Sequence, residues 1–289
     1  MRHGTPASRA FSAGAARVLA AAIIALTCHR AGAQAVQLKL DPYANTGLRT
    51  VQVTVNGHRS PFLFDTGAGL TVLTPESAGY AGCTPFGLDT GFRDDGGKVT
   101  SSRCGPAALE IGRYRVDGEV AEFDLLKLLG KGAPPVGGIV GLESFEGRAL
   151  TIDLAHDRVT IETPRSLALR IGGMHPVNVR IVRGAAGDVV PFIEVRAKTG
   201  TLWMEVDSGN NGPVFLAPHA QQQLGISIPQ HGKRPLDLDV IGLGPVPVTV
   251  ATRDLIYDGQ LDPAFLRHME LTVDIARGRA WARLYRPPR

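Results

Sequence analysis

A short acidic motif occurs twice in this chain, 142 residues apart, and each copy follows the same kind of apolar run. The first copy is D-T-G at residues 65–67 and the second is D-S-G at residues 207–209. The alternating apolar positions that begin at Val51 correspond without a gap to those that begin at Ile193. A chain made of two copies of one unit can place one aspartate from each copy side by side. We therefore expect a pair of carboxylates, an arrangement suited to activating water.

The composition favours β structure. Thirty-five glycines and 20 prolines separate short runs of Val, Ile and Leu, a pattern typical of many short strands. The run at residues 51–55 alternates with period two, and Asn56-Gly57 predicts a hairpin turn into the next run. A proline follows the short strand after each acidic motif, at Pro75 and at Pro218, where it can begin a short helix.

The first 33 residues have the features of a secretory signal peptide. They carry four arginines and no acidic residue, an apolar core at residues 18–26, and A-G-A at residues 31–33. The apolar core is shorter than the ~20 residues that a spanning helix needs. We therefore predict cleavage near Ala33, no stable membrane anchor, and a periplasmic or secreted mature protein.

The charge balance does not favour a nucleic-acid partner. The whole chain has 31 Lys and Arg against 27 Asp and Glu. Four of the arginines lie in the predicted signal peptide, so the mature chain is formally neutral. Without a basic excess, we expect no nucleic acid among its partners.

The cysteines and histidines give two further expectations. Cys28 lies in the predicted signal peptide, which leaves Cys83 and Cys104 as an even pair. Such a pair in an exported chain predicts one disulfide. The eight histidines show no spacing typical of metal ligands, so we predict no metal site.

The ends of the two units also match. Residues 138–153 and 259–274 have similar apolar patterns, and each stretch continues into a hairpin-like tail. A repeat this long excludes a solenoid and favours two packed copies of one lobe. We divide the chain into a signal peptide (1–33), an N-terminal β lobe (34–165) and a C-terminal β lobe (166–289).

These motifs resemble the pepsin and retropepsin group of aspartic peptidases, in a compact two-lobed bacterial form. The resemblance depends on D-T-G-A at residues 65–68, I-V-G at residues 139–141 and D-S-G at residues 207–209. It implies an all-β, pepsin-like (acid protease) fold. Two duplicated lobes, related by a pseudo-two-fold axis, would enclose a cleft with both aspartates at its floor.

The resemblance also implies an activity, that of an exported aspartic endopeptidase acting on polypeptides as a monomer and without a cofactor. Asp65 and Asp207 would share a proton, so that the ionised carboxylate activates a water and the protonated carboxyl polarises the scissile carbonyl. Residues 90–101, with Gly96 and Gly97, would form a flap hairpin over the cleft, its base held by the cysteine pair. The supporting residues of the two aspartate loops are Thr66, Gly67, Ser208 and Gly209.

The second copy departs from the family pattern at two positions. Asn210 stands where Ser, Thr or Ala is usual, and Asp262 replaces the glycine of the apolar-apolar-Gly signature. Two alternatives therefore stay open. One is a non-catalytic module that binds extended peptides, and the other is a peptidase active only as a homodimer through Asp65.

Overall fold

The structure is a computed structural model that describes residues 34–130 and 132–285. The predicted signal peptide lies outside the described residues. Nearly all regular structure is β, as predicted, and the helices are short. The strands and helices of the first half are β1 Val36–Lys39, β2 Asp41–Pro42, β3 Arg49–Val55, β4 His58–Phe64, β5 Val72–Leu73, α1 Pro75–Tyr80, β6 Phe86–Phe92, β7 Lys98–Ile111, β8 Tyr114–Glu122, α2 Leu126–Leu129, β9 Gly138–Val140, β10 Ala149–Asp153 and β11 Arg158–Glu162.

The second half repeats this order with small differences. Its elements are α3 Pro164–Ile171, β12 His175–Val177, β13 Val179–Arg183, β14 Val189–Arg196, β15 Thr201–Val206, β16 Val214–Leu216, α4 Pro218–Leu224, β17 Lys233–Val240, β18 Gly244–Thr252, β19 Gly259–Leu261, α5 Pro263–Leu266, β20 Met269–Asp274 and β21 Arg279–Leu284. Helices α1 and α4 begin at the two prolines that the sequence singled out. Among the described residues, no helix combines the length and apolar character that crossing a membrane requires.

Each half closes six of its strands into a barrel. In the first barrel the order is β3-β4-β9-β5-β8-β7, closed by pairing of β3 with β7. In the second it is β14-β15-β19-β16-β18-β17, closed by pairing of β14 with β17. The parallel pairs fall at corresponding places, β4 with β9 and β15 with β19. The predicted all-β fold with two duplicated lobes is confirmed.

The barrels form because alternate side chains of each strand point inward. In β3, Val51, Val53 and Val55 are buried, whereas the positions between them are partly exposed. Phe62 and Phe64 of β4 fill the first barrel from the next strand. The acidic motifs therefore begin where a buried strand ends.

A third sheet combines strands of both halves, in the order β1-β11-β10-β20-β21-β12. Its central pair joins β10 to β20, with Ala149 opposite Asp274. The sheet buries two glutamates, Glu162 and Glu270, and the Arg170 side chain of helix α3 bonds both of them, at 3.0 and 2.8 Å. Helix α3 also lies across the predicted lobe boundary at residues 165 and 166, and that boundary stays a prediction.

The predicted disulfide is confirmed. Cys83 and Cys104 are bonded, with their Cα atoms 5.4 Å apart. Cys83 precedes β6 and Cys104 lies in β7, so the bond joins the two sides of a hairpin near its base. The hairpin turns at residues 93–97, inside the segment predicted to be a flap.

Candidate active site

Asp65 and Asp207 occupy equivalent positions at the ends of β4 and β15. The backbone N–H of Asp65 donates to the carbonyl of Val140 at 3.1 Å, and that of Asp207 donates to the carbonyl of Leu261 at 3.0 Å. Both acceptors lie on the neighbouring parallel strand of the same barrel. The two barrels thus hold the two aspartates in matching backbone frames.

The two carboxyl groups meet across the barrels. The charge of Asp65 raises the pKa of Asp207, and the glycine of each motif lies against the opposite carboxyl. The Gly67 N–H donates to Asp65 Oδ1 at 2.9 Å, and the Gly209 N–H donates to Asp207 Oδ1 at 2.7 Å. Two carboxyls that lie side by side and interact in this way titrate as a pair, so the geometry suits a shared proton.

The hydroxyls of Thr66 and Ser208 cross between the two loops in a reciprocal pattern. Thr66 N donates to Ser208 Oγ, and Ser208 N donates to Thr66 Oγ1, both at 3.0 Å. The hydroxyls in turn donate to the carbonyls of Val206 and Phe64 at 2.5 and 3.0 Å. All of these groups are buried, so the network fixes the two loops relative to each other.

The glycines of the two motifs let the loops approach the opposite carboxyl. A Cβ atom added to Gly67 would lie 2.8 Å from Asp207 Oδ1, and one added to Gly209 would lie closer still to Asp65 Oδ2. Real side chains do not tolerate such contacts with a fixed group, so both positions require glycine.

We therefore expect Gly209→Ala to displace the Asp65 carboxyl and to lower kcat by about 10²-fold or more, because small misplacements at a reacting centre have effects of that size. Gly79→Ala in helix α1 is the matched control, since its added Cβ would meet no atom within 4 Å. Circular dichroism should show both variants folded. Wild-type turnover in Gly209→Ala would contradict the inferred close approach.

Burial and mutual proximity set the protonation of the pair. Burial raises the pKa of Asp65, and the Gly67 N–H opposes this shift. Burial also raises the pKa of Asp207, well above its usual range, and the negative charges of Asp65 and Glu205 raise it further. One proton is consequently retained where an isolated aspartate would be ionised.

Sequence reasoning missed three polar residues behind Asp207. Glu205, two positions earlier on β15, accepts a hydrogen bond from the Tyr257 hydroxyl. The Gln260 amide on β19 donates to Asp207 Oδ2 and lies 3.4 Å from Glu205 Oε2. Burial raises the pKa of Glu205 to about 7. The available signal was a glutamate inside an apolar strand, at the position corresponding to Leu63 in the first copy.

The departures in the second copy have local roles. The Asn210 side chain accepts a hydrogen bond from the Gly212 N–H at 2.9 Å and so closes the loop that follows the D-S-G motif. Asp262 is the N-cap of α5 and accepts from the Phe265 N–H at 2.8 Å. Neither residue displaces Asp207 from its frame.

The flap candidate touches the second barrel through the tip of its hairpin. Gly96 and Gly97 lie in the turn, where Gly96 has a φ of +79° that favours glycine. The Ile256 N–H donates to the Asp94 carbonyl at 3.0 Å, and Arg253 forms an ion pair with the Asp94 carboxylate at 2.5 Å.

Within residues 34–130 and 132–285, no group of three or more His, Cys, Asp and Glu side chains is arranged to hold a metal ion. The carboxyls of the site instead accept hydrogen bonds from backbone and amide N–H groups. N–H groups of the protein thus stabilise these carboxyls.

Comparison with known proteins gives a family match in the first half of the chain. The aspartyl protease family model matches residues 51–144, which include the first acidic motif. The resemblance to aspartic peptidases is confirmed. No curated protein matches the chain at a significant level.

Solved structures support the same fold over most of the chain. A basic 7S globulin from soybean is similar with a TM-score of 0.58 and 12% identity, covering 86% of this chain and 94% of the globulin. Conglutin gamma, a basic 7S globulin from lupine seeds, is similar with a TM-score of 0.55 and 10% identity, at the same coverage. At such low sequence identity, these structural similarities support the fold and do not indicate an activity.

Proposed function

We propose that this protein is an exported aspartic endopeptidase that hydrolyses peptide bonds with Asp65 and Asp207. The observation that carries the proposal is the reciprocal bonding of the two aspartate loops, which places each carboxyl against the glycine of the opposite motif in matching backbone frames. The family match, which includes Asp65, supports it. The reaction needs water and a polypeptide, and no cofactor.

The surroundings of the two carboxyls favour different roles. Backbone N–H groups of Gly67, Ala68 and Gly209 stabilise the charged form of Asp65. Asp207 lies beside two other acids, Asp65 and Glu205, whose negative charges raise its pKa. Asp65 is therefore the ionised member that removes a proton from water, and Asp207 is the protonated member.

The reaction follows from these roles. Hydroxide formed at Asp65 adds to the scissile carbonyl carbon while the Asp207 proton moves to the carbonyl oxygen. The tetrahedral intermediate then collapses: the proton on Asp65 passes to the departing amine, and Asp207 recovers its proton from a hydroxyl. The pair thus returns to its starting state with one C–N bond broken.

The β6–β7 hairpin is the proposed flap over a cleft between the two barrels. Its tip now contacts the second barrel through Asp94, Arg253 and Ile256, so an extended substrate would enter after this tip lifts. The disulfide at the base of the hairpin would limit the motion to the tip. It also supports the proposed periplasmic or secreted location, where disulfides persist.

The test is hydrolysis of an unfolded protein at mildly acid pH by the chain that begins at Gln34, with and without pepstatin. We expect cleavage that pepstatin abolishes and that chelators leave unchanged. Pepstatin-insensitive cleavage, or none, would contradict the proposal.

Two alternatives predict different results in the same assay. A non-catalytic module that binds extended peptides would show saturable peptide binding without cleavage. A homodimeric enzyme would show specific activity that rises with protein concentration. The reciprocal bonds between the two aspartate loops within one chain support a monomer.

A further inference from the structure

The first and second barrels differ in what lies behind their aspartates. Behind Asp65, Leu63 and Ile139 belong to a small apolar cluster against which Val136 packs. The corresponding positions behind Asp207 are Glu205, Gln260 and Tyr257. An apolar cluster in one copy is thus a hydrogen-bonded polar set in the other.

The acid and the amide of this polar set are buried, and the amide is bonded to Asp207. Glu205 and Gln260 are 6% and 4% exposed. The Tyr257 hydroxyl donates to Glu205, and Phe192 packs edge-on against the Tyr257 ring at 5.5 Å. Burying an ionisable group is costly, so a simple packing role would be better served by the apolar residues of the first copy.

The Gln260 amide is only partly used in this arrangement. Its Nε2 donates to Asp207 Oδ2, whereas its Oε1 is buried and has no hydrogen-bond partner among the described residues. An amide offers both a donor and an acceptor. Gln260 can therefore bond the ionised carboxylate through its N–H group, or a protonated carboxyl through its oxygen after rotation. An orphaned buried oxygen at this position fits a partner that changes its protonation.

We propose that Glu205 is a positioning residue that makes Asp207 keep its proton as the pH rises through neutrality. Tyr257 holds the Glu205 carboxyl in place, and Gln260 holds that of Asp207. This inference rests on the proposed function, since the proton on Asp207 is the one donated to the substrate. In this role the charge of Glu205 acts on Asp207, and the Gln260 amide lies between the two carboxyls.

The sign of the effect follows from the groups that face Glu205. These are Asp207 and Asp65 in the site, Tyr257 beside it, and Asp94 at the flap tip with its partner Arg253. Glu205 has a pKa of about 7, so it is neutral on the acid side, where Asp65 ionises. Above neutrality it is negative, and a second negative charge beside Asp207 opposes loss of the last proton. Glu205 should therefore set the alkaline limit of activity and leave the acid limit unchanged.

The test is the pH dependence of kcat/KM for Glu205→Gln. We expect its alkaline limb to move about one pH unit lower, the size of a typical effect of a neighbouring charge, with an unchanged acid limb. Glu194→Gln removes the same charge from the same barrel, where Glu194 bonds Asn178 at 2.6 Å, and should leave both limbs in place. Activity lost equally at every pH, with no movement of the limb, would overturn the proposal.

A second variant guards against failure of Glu205→Gln to fold. The double variant Glu205→Gln, Tyr257→Phe removes the charge together with the hydroxyl that donates to it and keeps the Gln260 bond to Asp207, so we expect the same downward shift of the alkaline limb. An alkaline limb equal to that of the wild type in the folded double variant would also overturn the proposal.

A readout independent of hydrolysis separates this inference from the proposed function. In ¹³C-aspartate-labelled protein, NMR titration of the Asp207 carboxyl, assigned with Asp207→Asn, should show its midpoint at lower pH in Glu205→Gln than in wild type. An unchanged midpoint would overturn the role of Glu205 even in an active enzyme. A shifted midpoint in a protein that cleaves nothing would uphold it while contradicting the peptidase function.

Discussion

Asp65→Asn and Asp207→Asn should each reduce kcat by about 10²–10⁴-fold, the usual contribution of a positioned acid or base. Either change removes a carboxyl that the shared-proton mechanism requires. The double variant should be scarcely slower than either single variant, because the two residues act as one unit. Initial rates of peptide cleavage below the wild-type pH optimum give the comparison.

Asp117→Asn is the matched control for this series. Asp117 lies on β8 with an exposed side chain and pairs with Arg115 at 3.4 Å. It should have wild-type turnover. All three single variants should stay folded, since Asn has nearly the shape of Asp. Near-wild-type turnover of Asp207→Asn, with Asp65→Asn inactive, would contradict the pair and favour the homodimer alternative.

Arg170→Met should lower the free energy of unfolding by about 3 kcal/mol, the scale of breaking a buried ion pair. Arg170 bonds both Glu162 and Glu270. The carboxylate side chains are 0% and 1% exposed. Without the guanidinium, Glu162 keeps the Thr151 and Ser166 hydroxyls as donors but loses the cation that pairs with its buried charge. Glu270 keeps Arg283, so most of the loss should come from Glu162. Urea unfolding at constant pH measures the change.

Arg196→Met provides the comparison on the surface. Arg196 pairs with Asp239 at 2.9 Å, and both side chains are about half exposed. An exposed pair of this kind is worth less than about 1 kcal/mol. Adding Glu162→Gln to Arg170→Met should recover part of the lost stability. Equal losses of unfolding free energy in Arg170→Met and Arg196→Met would show that the buried ion pair stabilises the protein no more than the exposed pair does.

Several local features could be predicted from the sequence because short-range physics decides them. The period-two pattern of β3 predicted a half-buried strand, and the prolines at 75 and 218 predicted where α1 and α4 begin. The in-register repeat predicted two similar lobes, since equal patterns of buried positions lead to equal barrels. The cysteine pair predicted its bond because only Cys83 and Cys104 follow the predicted signal peptide.

Other features depended on contacts between residues far apart in the chain. Glu205 and Tyr257 are 52 positions apart, and no local pattern joins them. The third sheet pairs β10 with β20 across the two halves. A periodic pattern shows which face of a strand is buried but not which strand lies beside it.

Strand periodicity and motif spacing are local and repeated, and from them a duplicated β structure with one D-[TS]-G motif in each copy could be predicted. The polar set behind Asp207 could not, since Glu205, Tyr257 and Gln260 come together only in the folded chain, where the corresponding residues behind Asp65 are apolar. The same holds for the bonds of Arg170 to two buried glutamates. Proton affinity and ion pairing depend on distance and burial in space, and both are set by which strands the closed barrels and the shared sheet bring together.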